Sequence, residues 1–296
     1  MAVNRTVQSK LPLFVAEISS NHHRDLSRCL RFVHTAFEIG CDAVKFQLFR
    51  VRDLFAPEAL RHNPRLLDRE AWELPTSFLA DISSACRTKR IKFSCTPFYL
   101  QAVEELFPFV DFYKIASYEL LWNDLLRECA RTGKPVVLST GMATLSEVHD
   151  ACSVLRSAGC KDITLLRCVS SYPANPKACN LASIQTVRET CECSVGWSDH
   201  SVHPAVIYRA VNSWGASMIE FHLDLEGSGA EFASGHCWLP QQIASVIATV
   251  RTGIVADGEG KVGPAASERE ERKWRADPED GLRPLKATRR QLGTKK

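Results

Sequence analysis

The stretch CSVGWSDHSVHPAVIYRAVNSWGASMIEFHL, residues 193–223, decides the fold. It opens on a short apolar run, CSVGWS (193–198), and closes on another, SMIEFHL (217–223). The amphipathic segment between them has Pro204 in its first turn and stops at Gly215, the asymmetry of a helix. Both flanking runs are near-continuously apolar rather than alternating, as parallel strands covered on both faces are. The stretch therefore reads as strand, helix, strand. Working outward, six more such runs appear: LFVAEIS (13–19), AVKFQLF (43–49), IKFSCTP (91–97), DFYKIAS (111–117), PVVLST (135–140) and DITLLRC (162–168). Helical patterns separate them. One opens on Asp25 as N-cap and closes at Gly40, one runs from Asn123 to Gly133, and one sets Thr144 three before Glu147, a capping box, and ends at Gly159. A last one runs from Pro240 to Gly253. The longest gap holds a polar excursion over residues 50–75, ahead of a helix near Thr76–Thr88. Eight strands alternating with helices predict an α/β fold, a (β/α)8 TIM barrel over residues 12–253. An open doubly wound sheet for dinucleotides is disfavoured, because no Gly-x-Gly-x-x-Gly follows the first run. Residues 254–296 are polar and charged and are expected to form an extended or partly disordered tail.

Composition narrows the function classes. The chain has 296 residues, 45% of them hydrophobic, enough for a sizeable core. Lys plus Arg is 37 against 34 Asp plus Glu, so no basic excess points to nucleic acid. The basic end KATRRQLGTKK (286–296) is expected to be a solvated, mobile terminus. The start, MAVNRTVQSK, lacks the apolar core of a secretory leader. No run approaches the roughly 18 apolar residues of a membrane span. The 12 cysteines fall mostly inside apolar segments, for example Cys29, Cys86, Cys152 and Cys168. They read as reduced, buried thiols of a cytoplasmic protein. Cys191-x-Cys193 lacks the spacing of a zinc knuckle or redox motif.

Polar residues gather at the ends of the apolar runs, where a barrel of this kind places its chemistry. In order they are Glu17 with Asn21 and His22; Lys45 and Gln47; Ser94 and Thr96; Lys114, Ser117 and Glu119; Ser139 and Thr140; Arg167 and Ser170; Ser198, Asp199 and His200; Glu220 and His222. Buried charge is costly unless paired or engaged by a ligand. Two lysines with several hydroxyls on one rim suit a phosphate. Taken singly, each lysine also fits a chain reaching to water, Glu17 and Glu119 also fit as ion-pair partners of Lys45 and Lys114, and Thr96 before Pro97 also fits a turn. His200 and His222 end adjacent strands, about 4.8 Å apart. Their rings suit a divalent transition metal or a structural hydrogen-bonded pair. Asp199 is a candidate partner of that pair.

The motifs AEISSNH, DAVKFQ, FSCTPF, YKIASYE, VVLSTGM, CVSSYP, WSDHS and IEFH stand in this order over roughly residues 12–250. In them the chain resembles the N-acetylneuraminate (sialic acid) synthase family, which includes the legionaminic and pseudaminic acid synthases. The resemblance implies a barrel that condenses phosphoenolpyruvate with an open-chain 2-acylamino sugar, N-acetylmannosamine-like, giving a nonulosonic 2-keto sugar acid and phosphate. It implies a divalent metal, Mn2+ first and Mg2+ or Co2+ as substitutes, on His200 and His222. It implies phosphoenolpyruvate contacts from Lys45, Thr96, Lys114, Ser117 and Ser198, an acid/base role for Glu119, and Gln47 close to the sugar. Glu17 joins Glu119 as a candidate catalytic carboxylate, and Asn21, Tyr172 and Arg167 join the candidate substrate contacts. A homodimer in the cytoplasm, without nucleic acid or membrane, completes the expectation.

This sequence departs from the family pattern at several points. Arg167-Cys168-Val169 replaces His-Cys-Thr, Ser170 replaces an Asn, and Ser19-Ser20 replaces a Gly-rich first loop. Gly229-Ala230-Glu231 stands for Gly-Pro-Asp and is followed by an unfamiliar FASGHCWLP. The family's C-terminal antifreeze-like domain is not expected in residues 254–296. Arg167 and FASGHCWLP, with His236, are accordingly expected on the sugar side of the site. Two alternatives use the same scaffold: another metal-dependent aldolase or synthase, acting for example on pyruvate, and a non-catalytic barrel partner.

Overall fold

The computed structural model describes residues 11–292. Eight parallel strands run β1 Leu13–Glu17, β2 Ala43–Leu48, β3 Lys92–Pro97, β4 Phe112–Ile115, β5 Val136–Ser139, β6 Ile163–Cys168, β7 Ser194–Asp199 and β8 Met218–Leu223. They pair in sequence order, and β8 returns to pair with β1, closing the barrel. A main helix follows each strand: α1 Leu26–Glu38, α2 Leu79–Lys89, α3 Leu100–Leu106, α4 Asn123–Arg131, α5 Leu145–Ser157, α6 Ser183–Cys191, α7 Pro204–Asn212 and α8 Pro240–Asp257, with shorter helices at Val51–Leu54 and Pro57–His62 ahead of α2 and at Ala230–Ala233 ahead of α8. Local chemistry sets the helix starts. Asp25 accepts the backbone N–H groups of Ser27 and Arg28, and Thr144 and Glu147 form a reciprocal capping box.

Side chains alternate across a strand, and this parity builds the interior. Val15, Ala43, Phe112, Val137, Leu166 and Met218 form one buried apolar cluster that floors the lumen. Two residues further along the same strands stand Glu17, Lys45, Lys114, Ser139, Cys168 and Glu220, all buried. On β7 the corresponding floor position is Gly196, where a Cβ would lie 2.3 Å from the Met218 carbonyl oxygen. Only glycine lets β7 approach β8 so closely. The next inward position on β7 is Ser198, and His200 follows one residue past the end of the strand.

Three features differ from expectation. A ninth short strand, β9 Cys237–Trp238, pairs with β8 at His222↔Cys237 and Leu223↔Trp238. Two residues are too short to carry a strand pattern in sequence. Helix α8 continues past Gly253 to Asp257, because Gly253 keeps no left-handed backbone to end it. The expected extended tail is turned instead. A compact unit ends at Gly253 and a second begins at Ile254, with short helices at Arg269–Lys273 and Lys286–Leu292. Inside this second unit the Asp277 carboxylate accepts the backbone N–H groups of Glu279 and Lys286, turn chemistry that a hydropathy reading does not register. The readings placed on residues 1–10 and 293–296 lie outside the described residues. All twelve cysteines are free and all but Cys193 are buried. Among the described residues no helix is long and apolar enough to cross a membrane.

Candidate active site

The polar layer divides into two halves. In the first, Lys45 on β2 forms an ion pair with Glu17 on β1, its neighbour in register, and donates to Thr96 Oγ1 at 3.3 Å. The other Glu17 oxygen accepts Gln47 Nε2 at 2.8 Å and the Ser19 N–H at 2.9 Å. Lys114 on β4 reaches across the lumen to Glu220 on β8 at 3.0 Å, and Ser198 donates to the same Glu220 oxygen at 3.1 Å. Glu119 was a candidate partner for Lys114 by sequence. Glu220 takes that place because it shares the inward parity of β8, while Glu119 sits one turn beyond β4. Burial pulls the Lys45 ammonium below its ordinary range. Burial pushes the Glu220 carboxyl up, but Lys114 and Lys45 outweigh it and hold the group at about 2.

Glu119 lies in the 3-10 turn Ser117–Glu119. Burial pushes its carboxyl up to about 7 against the opposing pull of Lys114 and Lys45. Among the described residues its Oε2 has no hydrogen-bond partner, and neither do Ser139 Oγ and Ser170 Oγ. Ser117 accepts the Gly141 N–H at 3.0 Å and lies 3.3 Å from Cys168 Sγ. A Cβ on Gly141 would meet Ser170 Oγ at 2.2 Å, Ser117 Oγ at 2.8 Å and Cys168 Sγ at 3.0 Å. The glycine thus lets the backbone press against a group of hydroxyls.

The second half is built from imidazoles. His200 and His222 meet as expected, with ring centroids 5.4 Å apart. Burial lowers both, His200 to about 3, so they are neutral. His200 Nδ1 donates to the Val169 carbonyl at 2.8 Å, and His222 Nδ1 faces Glu231 Oε2 at 3.1 Å. Those bonds fix the tautomer and leave a lone pair on each Nε2. Donors of this kind, on rings this close, fit one divalent ion with metal–nitrogen bonds of about 2.1 Å. Asp199 is not aimed at His200. Its carboxylate accepts Trp197 Nε1, Trp238 Nε1, Ser201 N–H and Oγ, and Val202 N–H, locking the turn that carries His200 and anchoring β9.

Tyr172 joins this half, its ring centroid 4.3 Å from His200 and 5.0 Å from His236. His236 lies beside Glu231, with Nε2 3.6 Å from Glu231 Oε2. Asn21 is close by but committed: its amide donates to the Leu223 carbonyl at 2.9 Å, tying the β1 loop to the end of β8. Arg167 contradicts the expectation of a sugar-side contact. Leu166 and Cys168 take the inward positions of β6, so Arg167 points toward the helices. There it bonds Ser183 Oγ at 2.9 Å and the Thr140 carbonyl at 3.1 Å.

Sequence reasoning placed Glu220 on the rim and Cys237 in the sugar-side loop without a specific role for either, and gave Glu231 none. Strand parity could have found Glu220. Glu231 and Cys237 belong to a loop without periodicity, and only the closeness of Glu231, His236 and Cys237 in the chain marked them.

The NeuB family profile matches residues 32–262. The chain is 32% identical over 261 residues to a pseudaminic acid synthase of Helicobacter pylori, covering 84% of this chain and 76% of that protein. It is 30% identical to an N,N'-diacetyllegionaminic acid synthase of Campylobacter jejuni, covering 85% and 79%. A crystal structure of N-acetylneuraminic acid (sialic acid) synthetase from Leptospira borgpetersenii, in complex with citrate, superposes with a TM-score of 0.78 at 29% identity, covering 92% of this chain and 94% of that one. With its closed barrel, its paired lysines and its two facing histidines, the chain belongs to the NeuB family.

Proposed function

We propose that this chain condenses phosphoenolpyruvate with an open-chain 2-acylamino sugar, N-acetylmannosamine-like or a 6-deoxy diacetamido relative, to give a nonulosonic acid and phosphate. One observation carries the reading. Two buried ammonium groups, Lys45 and Lys114, stand in the lumen layer with Ser139, whose Oγ, like Glu119 Oε2 and Ser170 Oγ just past the strand ends, lacks a protein partner among the described residues. Buried polar groups are normally satisfied, so this set suits an anionic, oxygen-rich substrate. Family membership supports the same reaction class.

Lys45 and Lys114 exchange part of their carboxylate contact for the phosphate, with Thr96, Ser117 and Ser198 as hydroxyl donors. His200 and His222 would hold a divalent metal, Mn2+ first, which would supply Lewis-acid polarisation of the sugar aldehyde. C3 of the enol phosphate then attacks the aldehyde carbon, and the aldehyde oxygen takes up a proton. Water adds at C2, and the C2–O bond breaks to release phosphate. Glu119, with a carboxyl near neutrality and a free oxygen, is suited to give the first proton and to accept one from the water. Glu17 positions Lys45 and Gln47. We further propose that the chain acts in the cytoplasm as a homodimer. The test is a panel of acylamino sugars offered with phosphoenolpyruvate and Mn2+, scored by phosphate release and product mass. A nine-carbon acid with equimolar phosphate is expected. Carbon–carbon bond formation from pyruvate, without phosphate release, would overturn the proposal.

A further inference from the structure

Glu231, His236 and Cys237 surround the side of His222 that faces away from its proposed catalytic role. His222 Nδ1 lies 3.1 Å from Glu231 Oε2, and that oxygen is 3.6 Å from His236 Nε2. Cys237 stands opposite His222 in the β8–β9 register. One donor atom from each of His222, Glu231, His236 and Cys237 lies within 4.8 Å of all the others. Four ligands on one tetrahedral ion, with bonds of about 2.0–2.3 Å, stand about 3.3–3.8 Å apart, so the four donors need to draw in by about 1 Å at most when the ion binds. His236 is 7% exposed, and its Nδ1 has no partner among the described residues. A buried imidazole whose Nε2 lies beside a carboxylate, together with a thiol and a second imidazole, is the donor set of a borderline-soft cation, not of Mg2+ or Mn2+.

We propose that His222, Glu231, His236 and Cys237 form a second divalent-cation pocket, selective for Zn2+ or Co2+ and exclusive of the catalytic ion. The exclusion follows from the imidazole itself. Neutral His222 has one lone pair. An ion bound at Nδ1 moves the ring proton to Nε2, which then cannot serve the ion shared with His200. Cys237 loses its proton to solvent when the ion binds; burial holds that thiol protonated until then. Zn2+ is thereby an inhibitor built on the protein's own ligands, and Mn2+ an activator. The pocket rests on its own donors, whereas the competition rests on the proposed two-histidine centre.

The test uses the full chain, stripped with chelator and titrated with Co2+. The expected spectrum has a near-ultraviolet thiolate-to-cobalt charge-transfer band and intense visible bands of four-coordinate cobalt, both displaced by Zn2+. Cys237→Ser should remove the charge-transfer band, and His236→Ala should weaken Co2+ binding by at least roughly tenfold. His200→Ala should leave the band in place. A band that survives Cys237→Ser in folded protein overturns the pocket. Co2+ that binds without the band, and is lost in His200→Ala, overturns the pocket and leaves the catalytic reading standing. Absence of any Co2+ binding overturns both. Should Cys237→Ser fail to fold, the wild-type spectrum and the His236→Ala affinity still decide between these outcomes.

Discussion

The lysine half and the histidine half of this lumen solve the same problem, burial of polar groups, in opposite ways. On the lysine side charge is kept and neutralised by charge: Lys45 against Glu17, Lys114 against Glu220. On the histidine side charge is removed, since burial holds His200 and His222 neutral while their Nδ1 atoms are pinned. Breaking a buried ion pair leaves an uncompensated charge, whereas losing a neutral ring leaves a cavity and a lost ligand. One half should therefore tie function to stability, and the other should separate them.

The largest effect that would sharpen this contrast is expected at Glu119. Glu119→Gln should lower kcat by roughly a hundred- to ten-thousandfold, and should abolish an inflection of kcat/KM near the value of about 7 to which burial raises it. Between 4.5 and about 7 the folded chain holds a proton that the unfolded chain has lost. Stability therefore falls as pH rises across that interval, and denaturant titrations of the Gln variant should show the fall removed. Next, Lys114→Ala should destabilise the fold by about 3–5 kcal/mol, because Glu220 stays buried and unpaired. It should also reduce kcat/KM for phosphoenolpyruvate by roughly ten- to a hundredfold. Loss of activity without loss of stability would break the comparison. His200→Ala is the counterpart: metal-dependent turnover should vanish while Tm moves by only a few degrees.

Asp199→Asn comes next, at about 1.5–3 kcal/mol by equilibrium unfolding, because the amide cannot accept from both Trp197 and Trp238 as the carboxylate does. Metal affinity by calorimetry should fall with it. The smallest functional effect is expected at Arg167→Ala. Its guanidinium serves Ser183 and Thr140, so the sugar KM should stay within about twofold while stability drops by about 1–2 kcal/mol. A large rise in sugar KM would restore Arg167 to the substrate side.

These particular residues also mark where the sequence was legible. The eight strands were readable because each is a short apolar run ended by polar residues, and Lys45, Lys114, Glu17 and both histidines followed from the strand ends. The Glu17–Lys45 pair was among the readings, but the partner of Lys114 was not, since Lys114 meets Glu220 across the lumen rather than a neighbour in the chain. Arg167 was misread because its place at a strand end was weighed and its parity was not. Cys168, one residue on, carries the inward position. The β9 excursion was invisible as structure. It has no period, and it is held by Asp199 and β8 rather than by its own propensity.

Gly141 has a consequence for how this site can change over generations. Any side chain there would collide with Ser170, Ser117 and Cys168 at once. The four positions are therefore one mutational unit. A substitution at 141 requires these side chains to move or shrink, and Ser117 cannot do so without giving up the Gly141 N–H. Whatever acceptor preference this barrel evolves, a change at Gly141 has to be matched by changes at its neighbours.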